Sequence, residues 1–103
     1  MYVDLGAEEV VAAEKAGRKI AVEIKSFIGA SEMHELEKAV GQYVVYHDVL
    51  TELEADRELY LAVDEDIYAE LFEEPIGTLL LANQRVRLVV FDPDEEVILK
   101  WIP

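Results

Sequence analysis

Lys19-Ile20-Ala21-Val22-Glu23-Ile24-Lys25-Ser26 decides how this chain is read. Ile20, Val22 and Ile24 alternate, the period of a strand, so they share one face. Ala21, Glu23 and Lys25 then share the other. A carboxylate and an ammonium therefore project side by side from a strand with apolar flanks. Downstream, Ser31 is a good N-cap, and Glu32, Glu35 and Glu37 follow where the helix dipole favours acids. Met33, Leu36, Val40, Tyr43 and Leu50 recur at helical spacing through about Leu53. Leu59-Tyr60-Leu61-Ala62-Val63 is a continuous apolar run, typical of a strand covered on both faces. Strand 19–26, helix 31–53 and strand 58–63 read as a right-handed βαβ crossover.

The rest of the chain extends this unit. Residues 2–26 read as two extended arms, the first carrying Val3, Leu5, Val10 and Val11. Lys15-Ala16-Gly17-Arg18 is the turn between the arms, with Gly17 expected at positive φ. Residues 8–15 would also suit a helix, but they lead directly into a turn and a strand, which favours strand. Asp64 caps a helical segment from Glu65 to about Glu73. Pro75 starts a short helix through Leu81 that Asn83 ends. Residues 85–91 are a strand, Asp92-Pro93-Asp94 is a turn, and 96–102 is the closing strand of a hairpin. The order predicts an α/β domain with a mixed sheet.

Composition bounds the function. A chain of 103 residues makes one small domain, and 52 % hydrophobic residues support a packed core. No apolar run approaches the roughly 20 residues that span a bilayer. Met1-Tyr2-Val3-Asp4-Leu5-Gly6 has no signal-peptide pattern. The absence of cysteine excludes disulfides and thiolate metal sites and fits a cytoplasmic protein. Net charge is −14, from 23 acids against 9 bases. Such a surface repels nucleic acid, whose binding rests on Lys and Arg. Lys15, Arg18, Lys19 and Lys25 fall close together in sequence, so a locally basic cleft on an acidic body is one expectation, and a basic partner is another.

One upstream acid followed by Glu-x-Lys on a later strand suits metal-dependent phosphodiester hydrolysis. Asp4 and Glu23 supply oxygen ligands for a hard divalent cation, Mg²⁺ by default, joined by the carbonyl of Ile24. Such an ion activates water and polarises the phosphoryl oxygen. Lys25 would hold the nucleophile or offset transition-state charge. The plainer reading makes Glu23 and Lys25 a solvent-facing pair on an edge strand. Lys38, Gln42 and Tyr46 are spaced by four and form one stripe on the following helix. Gln42 would bond a water or phosphate and Tyr46 would orient it. The plainer reading there is a core Tyr46 and a solvated Gln42. His34 and His47 lack zinc-ligand spacing. Glu65, Asp66, Glu70, Glu73 and Glu74 make a solvated acidic face or a contact for a basic partner. Trp101 belongs to the core or an interface.

Several runs then carry a family likeness: Tyr2-Val3-Asp4-Leu5-Gly6-Ala7-Glu8, Ile20 through Phe27, Gly41-Gln42-Tyr43, Leu71-Phe72-Glu73-Glu74-Pro75-Ile76-Gly77 and Val97-Ile98-Leu99-Lys100-Trp101-Ile102-Pro103. Together they resemble the XisH family, whose members control excision of a DNA element interrupting fdxN in cyanobacteria. The resemblance covers essentially the whole chain. It implies the PD-(D/E)XK, restriction-endonuclease-like superfamily: an α/β fold with a mixed β-sheet flanked by helices, one domain over 1–103. It also implies that the usual helix ahead of Tyr2 is lacking here. Carried over by position, Asp4 matches the first motif acid, Glu23 and Lys25 the E-x-K, and Gln42 with Tyr46 the Q-x-x-x-Y. Asp4 and Glu23 would hold Mg²⁺ or Mn²⁺, with Asp4, Glu23, Lys25 and Gln42 as the catalytic set.

The resemblance further implies a XisI-like companion, DNA and a site-specific recombinase as partners. An uncovered sheet face would favour a homo-oligomer. Two functions follow. One is an excision-controlling factor with an endonuclease-like site, a Mg²⁺-dependent phosphodiesterase in DNA rearrangement. The other is a non-catalytic subunit working with the companion or the recombinase. Glu23 and Lys25 favour the first; the −14 charge and the absent front helix favour the second.

Overall fold

The central unit forms as its periodicity requires. The structure is a computed structural model that describes residues 2–4, 9–15, 17–24 and 31–103. Strand β3 (Arg18–Ile24) leads into helix α1 (Glu32–Leu53), which returns to strand β4 (Glu58–Asp64). β3 and β4 pair in parallel, with Ala21 opposite Leu59 and Glu23 opposite Leu61. Ser31 caps α1 by accepting the backbone N–H of His34 at 3.2 Å. This satisfies one of the donors that a helix start leaves unpaired.

The remaining elements extend the sheet in chain order. The sheet has six strands, ordered β1-β2-β3-β4-β5-β6, where β1 is Tyr2–Asp4, β2 Glu9–Lys15, β5 Leu88–Asp92 and β6 Val97–Ile102. β5 runs parallel to β4, and β6 pairs antiparallel with β5. Gly17 takes φ 80° in the β2–β3 turn, the left-handed conformation that glycine adopts without steric cost. Asp92 Oδ1 accepts the backbone N–H groups of Asp94 and Glu95 at 2.9 and 3.2 Å, which closes the β5–β6 turn.

Three local expectations change. The first arm is two antiparallel strands, because Tyr2 pairs with Val11 and Asp4 with Glu9; the residues between them lie outside the described residues. The segment after Asp64 is a three-residue helix α2 (Glu65–Ile67) that widens into a π-helical turn, Tyr68–Phe72. Asp64 does cap it, accepting the Ile67 N–H at 2.8 Å. Helix α3 (Pro75–Ala82) ends at Asn83 as expected, and Gln84 follows at φ 55°. Residues 85–87 run extended into β5 rather than belonging to it.

The core lies between α1 and one sheet face. Leu36, Ala39, Tyr43, Tyr46 and Leu50 of α1 pack with Ala21, Leu59, Leu61, Val63, Leu88 and Val90 of the sheet. Each buried Leu or Val there stabilises by roughly 1.5–3 kcal/mol relative to exposure. Met33, expected inward, is exposed, and Ala39 takes the inward place instead. On the opposite face Ile20, Tyr60 and Val89 form a smaller cluster with Val22 and Trp101. Trp101 meets Tyr60 edge-on at 5.2 Å.

Candidate functional site

Glu23 sits in the middle of the fold. β3 is an interior strand between β2 and β4, and Glu23 pairs with Val10 on one side and Leu61 on the other. Its face is the one that α1 covers, shared with Ala21 and Leu61. The residue is 0 % exposed and is the buried charged residue among those described. The solvent-facing edge pair is therefore excluded for Glu23. Removing a carboxylate from water is expensive unless cations, hydrogen bonds or a metal compensate. Alternation sets Glu23 on the face opposite Ile20 and Val22; it is α1, packing over Ala21 and Leu61, that makes this face the interior.

The other predicted site residues are distributed unevenly around it. Gln42 is half-buried on the flank of the α1 core stripe. Its Oε1 is buried and accepts no hydrogen bond among the described residues. Tyr46 belongs to the core, and Lys38 is exposed. Asp4 closes β1, and its backbone row runs through Glu9 and Ile24 to Ala62. Glu23 belongs to the adjacent row, with Val3, Val10 and Leu61. Lys25 lies outside the described residues. Among the described residues no group of three His, Asp or Glu gathers where it could hold a metal ion. Glu23 is fully buried, and so is the Oε1 of Gln42. Both suit a hard cation.

The basic residues of the second arm do not surround Glu23. Arg18 and Lys19 open β3, whereas Glu23 lies near its end, about five residues or roughly 17 Å along the strand. Each is already paired: Arg18 with Glu58 at 3.6 Å and Lys19 with Asp56 at 3.4 Å. Arg57 bonds Glu54 at 2.8 Å and donates to the Ile20 carbonyl at 2.7 Å, which ties the end of α1 to β3. Arg18 and Lys19 therefore do not form the expected basic cleft beside Glu23; Lys25 lies outside the described residues.

A feature that the sequence reading passed over lies where β5 begins. Tyr43, Val44 and His47 of α1, with Gln84, Arg85 and Arg87, line a cleft of about 230 Å³. The Tyr43 hydroxyl donates to the Leu59 carbonyl at 2.8 Å and accepts the Arg87 backbone N–H at 3.3 Å. Burial pushes its pKa above the ordinary 10.0, while Arg87 pulls it the other way. The signal available in sequence was Arg85-x-Arg87, two cations at strand spacing just after a helix end.

Comparison with known proteins adds the family. The sequence profile described as XisH protein matches residues 1–99. The chain belongs to the XisH family. It is similar to the crystal structure of an XisH family protein from Nostoc punctiforme PCC 73102, at 34 % identity and a TM-score of 0.85, over 100 % of this chain and 83 % of that one. It is also similar to the crystal structure of a fdxN element excision controlling factor protein from Anabaena variabilis. There the identity is 36 % and the TM-score 0.83, over 100 % of this chain and 82 % of the other. No curated protein matches the chain. Among the described residues of this XisH protein, no helix is long and apolar enough to cross a membrane.

Proposed function

We propose that this XisH protein is an excision-controlling factor with an endonuclease-like metal site centred on Glu23. The observation that carries the reading is the complete burial of that carboxylate on an interior strand beneath α1. A nonpolar side chain would fill the position at lower desolvation cost, so a retained carboxylate points to chemistry. The likeness to the PD-(D/E)XK pattern supports Asp4 and Glu23 as holders of Mg²⁺ or Mn²⁺. When bound, the ion supplies Lewis acidity toward a phosphodiester of DNA. Lys25 offsets negative charge at phosphorus, and Gln42 orients a water or phosphate oxygen through its buried amide.

A second reading, a non-catalytic subunit, is supported by two observations. Net charge is −14, which opposes broad contact with DNA. The outer face of α1 also carries Val45, Val49 and Leu53 at helical spacing, 58 %, 39 % and 64 % exposed. That stripe suits a XisI-like companion, a recombinase or a second copy. In this reading the partner brings the basic surface.

Mn²⁺ binding followed by calorimetry, wild type against Glu23→Gln at moderate salt, separates the two. A discrete site lost in Glu23→Gln supports the metal centre, and cleavage of plasmid DNA is then tested with Lys25→Ala as control. Equal, weak binding in both proteins overturns the metal site and leaves the subunit reading.

A further inference from the structure

We infer that the cleft at the start of β5 is a binding site for a phosphate-type oxyanion, held by Arg85 and Arg87 with His47 and Gln84 at its walls. The inference is independent of Glu23 and of any metal.

Acids outnumber bases by 23 to 9, yet among the described residues Lys38, Lys100, Arg85 and Arg87 have no carboxylate within ion-pair distance. Arg18, Lys19 and Arg57 each have one, at 3.6, 3.4 and 2.8 Å. Arg85 and Arg87 flank the buried Val86. Two unneutralised guanidiniums two residues apart repel each other. An anion between them removes the repulsion and accepts from both forks.

The Arg87 backbone is held on both sides: its N–H donates to the Tyr43 hydroxyl at 3.3 Å, and its carbonyl accepts the Leu61 N–H at 2.8 Å. Gln84 lines the cleft in a left-handed conformation, φ 55°, which is sterically unfavourable for a residue with a side chain. That strain turns the chain out of α3 so that Arg85 and Arg87 face α1. His47 adds a ring that is stacked on Tyr43 with centroids 6.4 Å apart.

About 230 Å³ suits one phosphate group with its water rather than a folded partner. A neighbouring cleft of about 410 Å³ shares Gln84 and Arg87 and is bordered by Arg18, Glu58 and Pro103. It gives room for what the phosphate is attached to. Of the nearby carboxylates, Glu58 pairs with Arg18, and Asp48 Oδ1 lies 3.5 Å from His47 Nδ1.

The test uses the full chain. Inorganic phosphate is titrated while the arginine side-chain N–H signals are followed by NMR. Saturable shifts are expected at Arg85 and Arg87. Arg85→Gln/Arg87→Gln should weaken binding by at least about tenfold, whereas Lys38→Gln, with an equal charge change per site, should leave it unchanged. Arg85→Gln alone, at an exposed position, serves if the double variant unfolds. Glu23→Gln should bind phosphate as wild type does, even if the metal reading fails. A short duplex without terminal phosphates distinguishes the source. Binding that is lost in the arginine variants, with a salt slope smaller by roughly 1 per arginine, identifies a phosphodiester. Phosphate binding without duplex binding identifies a small phosphate or a terminal monoester. No saturable phosphate site, equal affinity in the arginine variants, or acetate binding as tightly as phosphate would overturn the inference.

Discussion

The hydroxyl of Tyr43 accepts the backbone N–H of Arg87 at 3.3 Å. The same oxygen donates to the carbonyl of Leu59 at 2.8 Å, so one side chain of α1 staples β4 to the approach of β5. Tyr43→Phe keeps the ring in the core but leaves that interior carbonyl without this donor. We expect a loss of about 1–3 kcal/mol, read as a lower urea midpoint at an unchanged slope. Arg87 should also lose its fixed presentation. Phosphate affinity should therefore fall in Tyr43→Phe although no cation has been removed.

Tyr43 also predicts an alkaline limb. Its pKa is raised above 10.0 chiefly by burial, so the folded state holds this proton more tightly than the unfolded state. The contribution is fully present below the unfolded value and is lost as pH rises through the folded one. The stability gap between wild type and Tyr43→Phe should thus be constant below about pH 10 and shrink above it. Urea unfolding at stepped alkaline pH checks this. A gap that widens above pH 10 contradicts the assignment.

The fold was legible where a periodicity met a single physical demand. Alternation in 19–26 separated Ile20 from Ala21, and the two residues enter different clusters. The all-apolar run from Leu59 to Val63 is buried on both faces, as a parallel interior strand requires. Apolar residues alone could not separate one bent strand from the β1–β2 hairpin, because Val3, Val10 and Val11 suit both. The π-helical turn at Tyr68–Phe72 follows from packing and has no sequence period of its own. Alternation showed which residues share a face with Glu23, but not that this face is the interior: that depends on β2, β4 and α1 arriving around it. The unneutralised arginines were not readable, since the distance from a cation to the nearest acid is a property of the folded surface. Arg18 and Lys19 looked like site cations and are ion-paired instead.

Gly77 tests the packing between α3 and the π-helical turn. A Cβ at Gly77 would run into the Leu71 carbonyl oxygen and the Phe72 backbone. In an exposed helix Ala is favoured over Gly by roughly 1 kcal/mol. Here the obstacle is backbone, which cannot rotate away as a side chain can. Gly77→Ala should therefore destabilise, by about 1–3 kcal/mol as for other overpacked sites. Phe72 is fully buried, so the displacement reaches the main core. Denaturant unfolding gives the sign directly, and a more stable variant would show that α3 does not rest on that turn.

Glu23 should trade stability against function. It is 0 % exposed, in a row with Val10 and Leu61, and its face belongs to the main core. Glu23→Met roughly conserves volume and removes the desolvation cost of a buried carboxylate. Replacing a whole buried ion pair by apolar residues of similar size is often neutral or stabilising, by about 1–4 kcal/mol, whereas removing one member of a pair is costly. We expect Mn²⁺ binding to be lost in Glu23→Met, and a carboxylate kept for an ion leaves the urea midpoint near that of wild type. Phosphate binding at Arg85 and Arg87 should persist, because Val86 and the Tyr43 staple are untouched. A purely structural carboxylate behaves differently: removing it leaves its partners buried and uncompensated, and stability falls by about 3–5 kcal/mol. The unfolding midpoint of this one variant thus separates a carboxylate kept for chemistry from one kept for the fold.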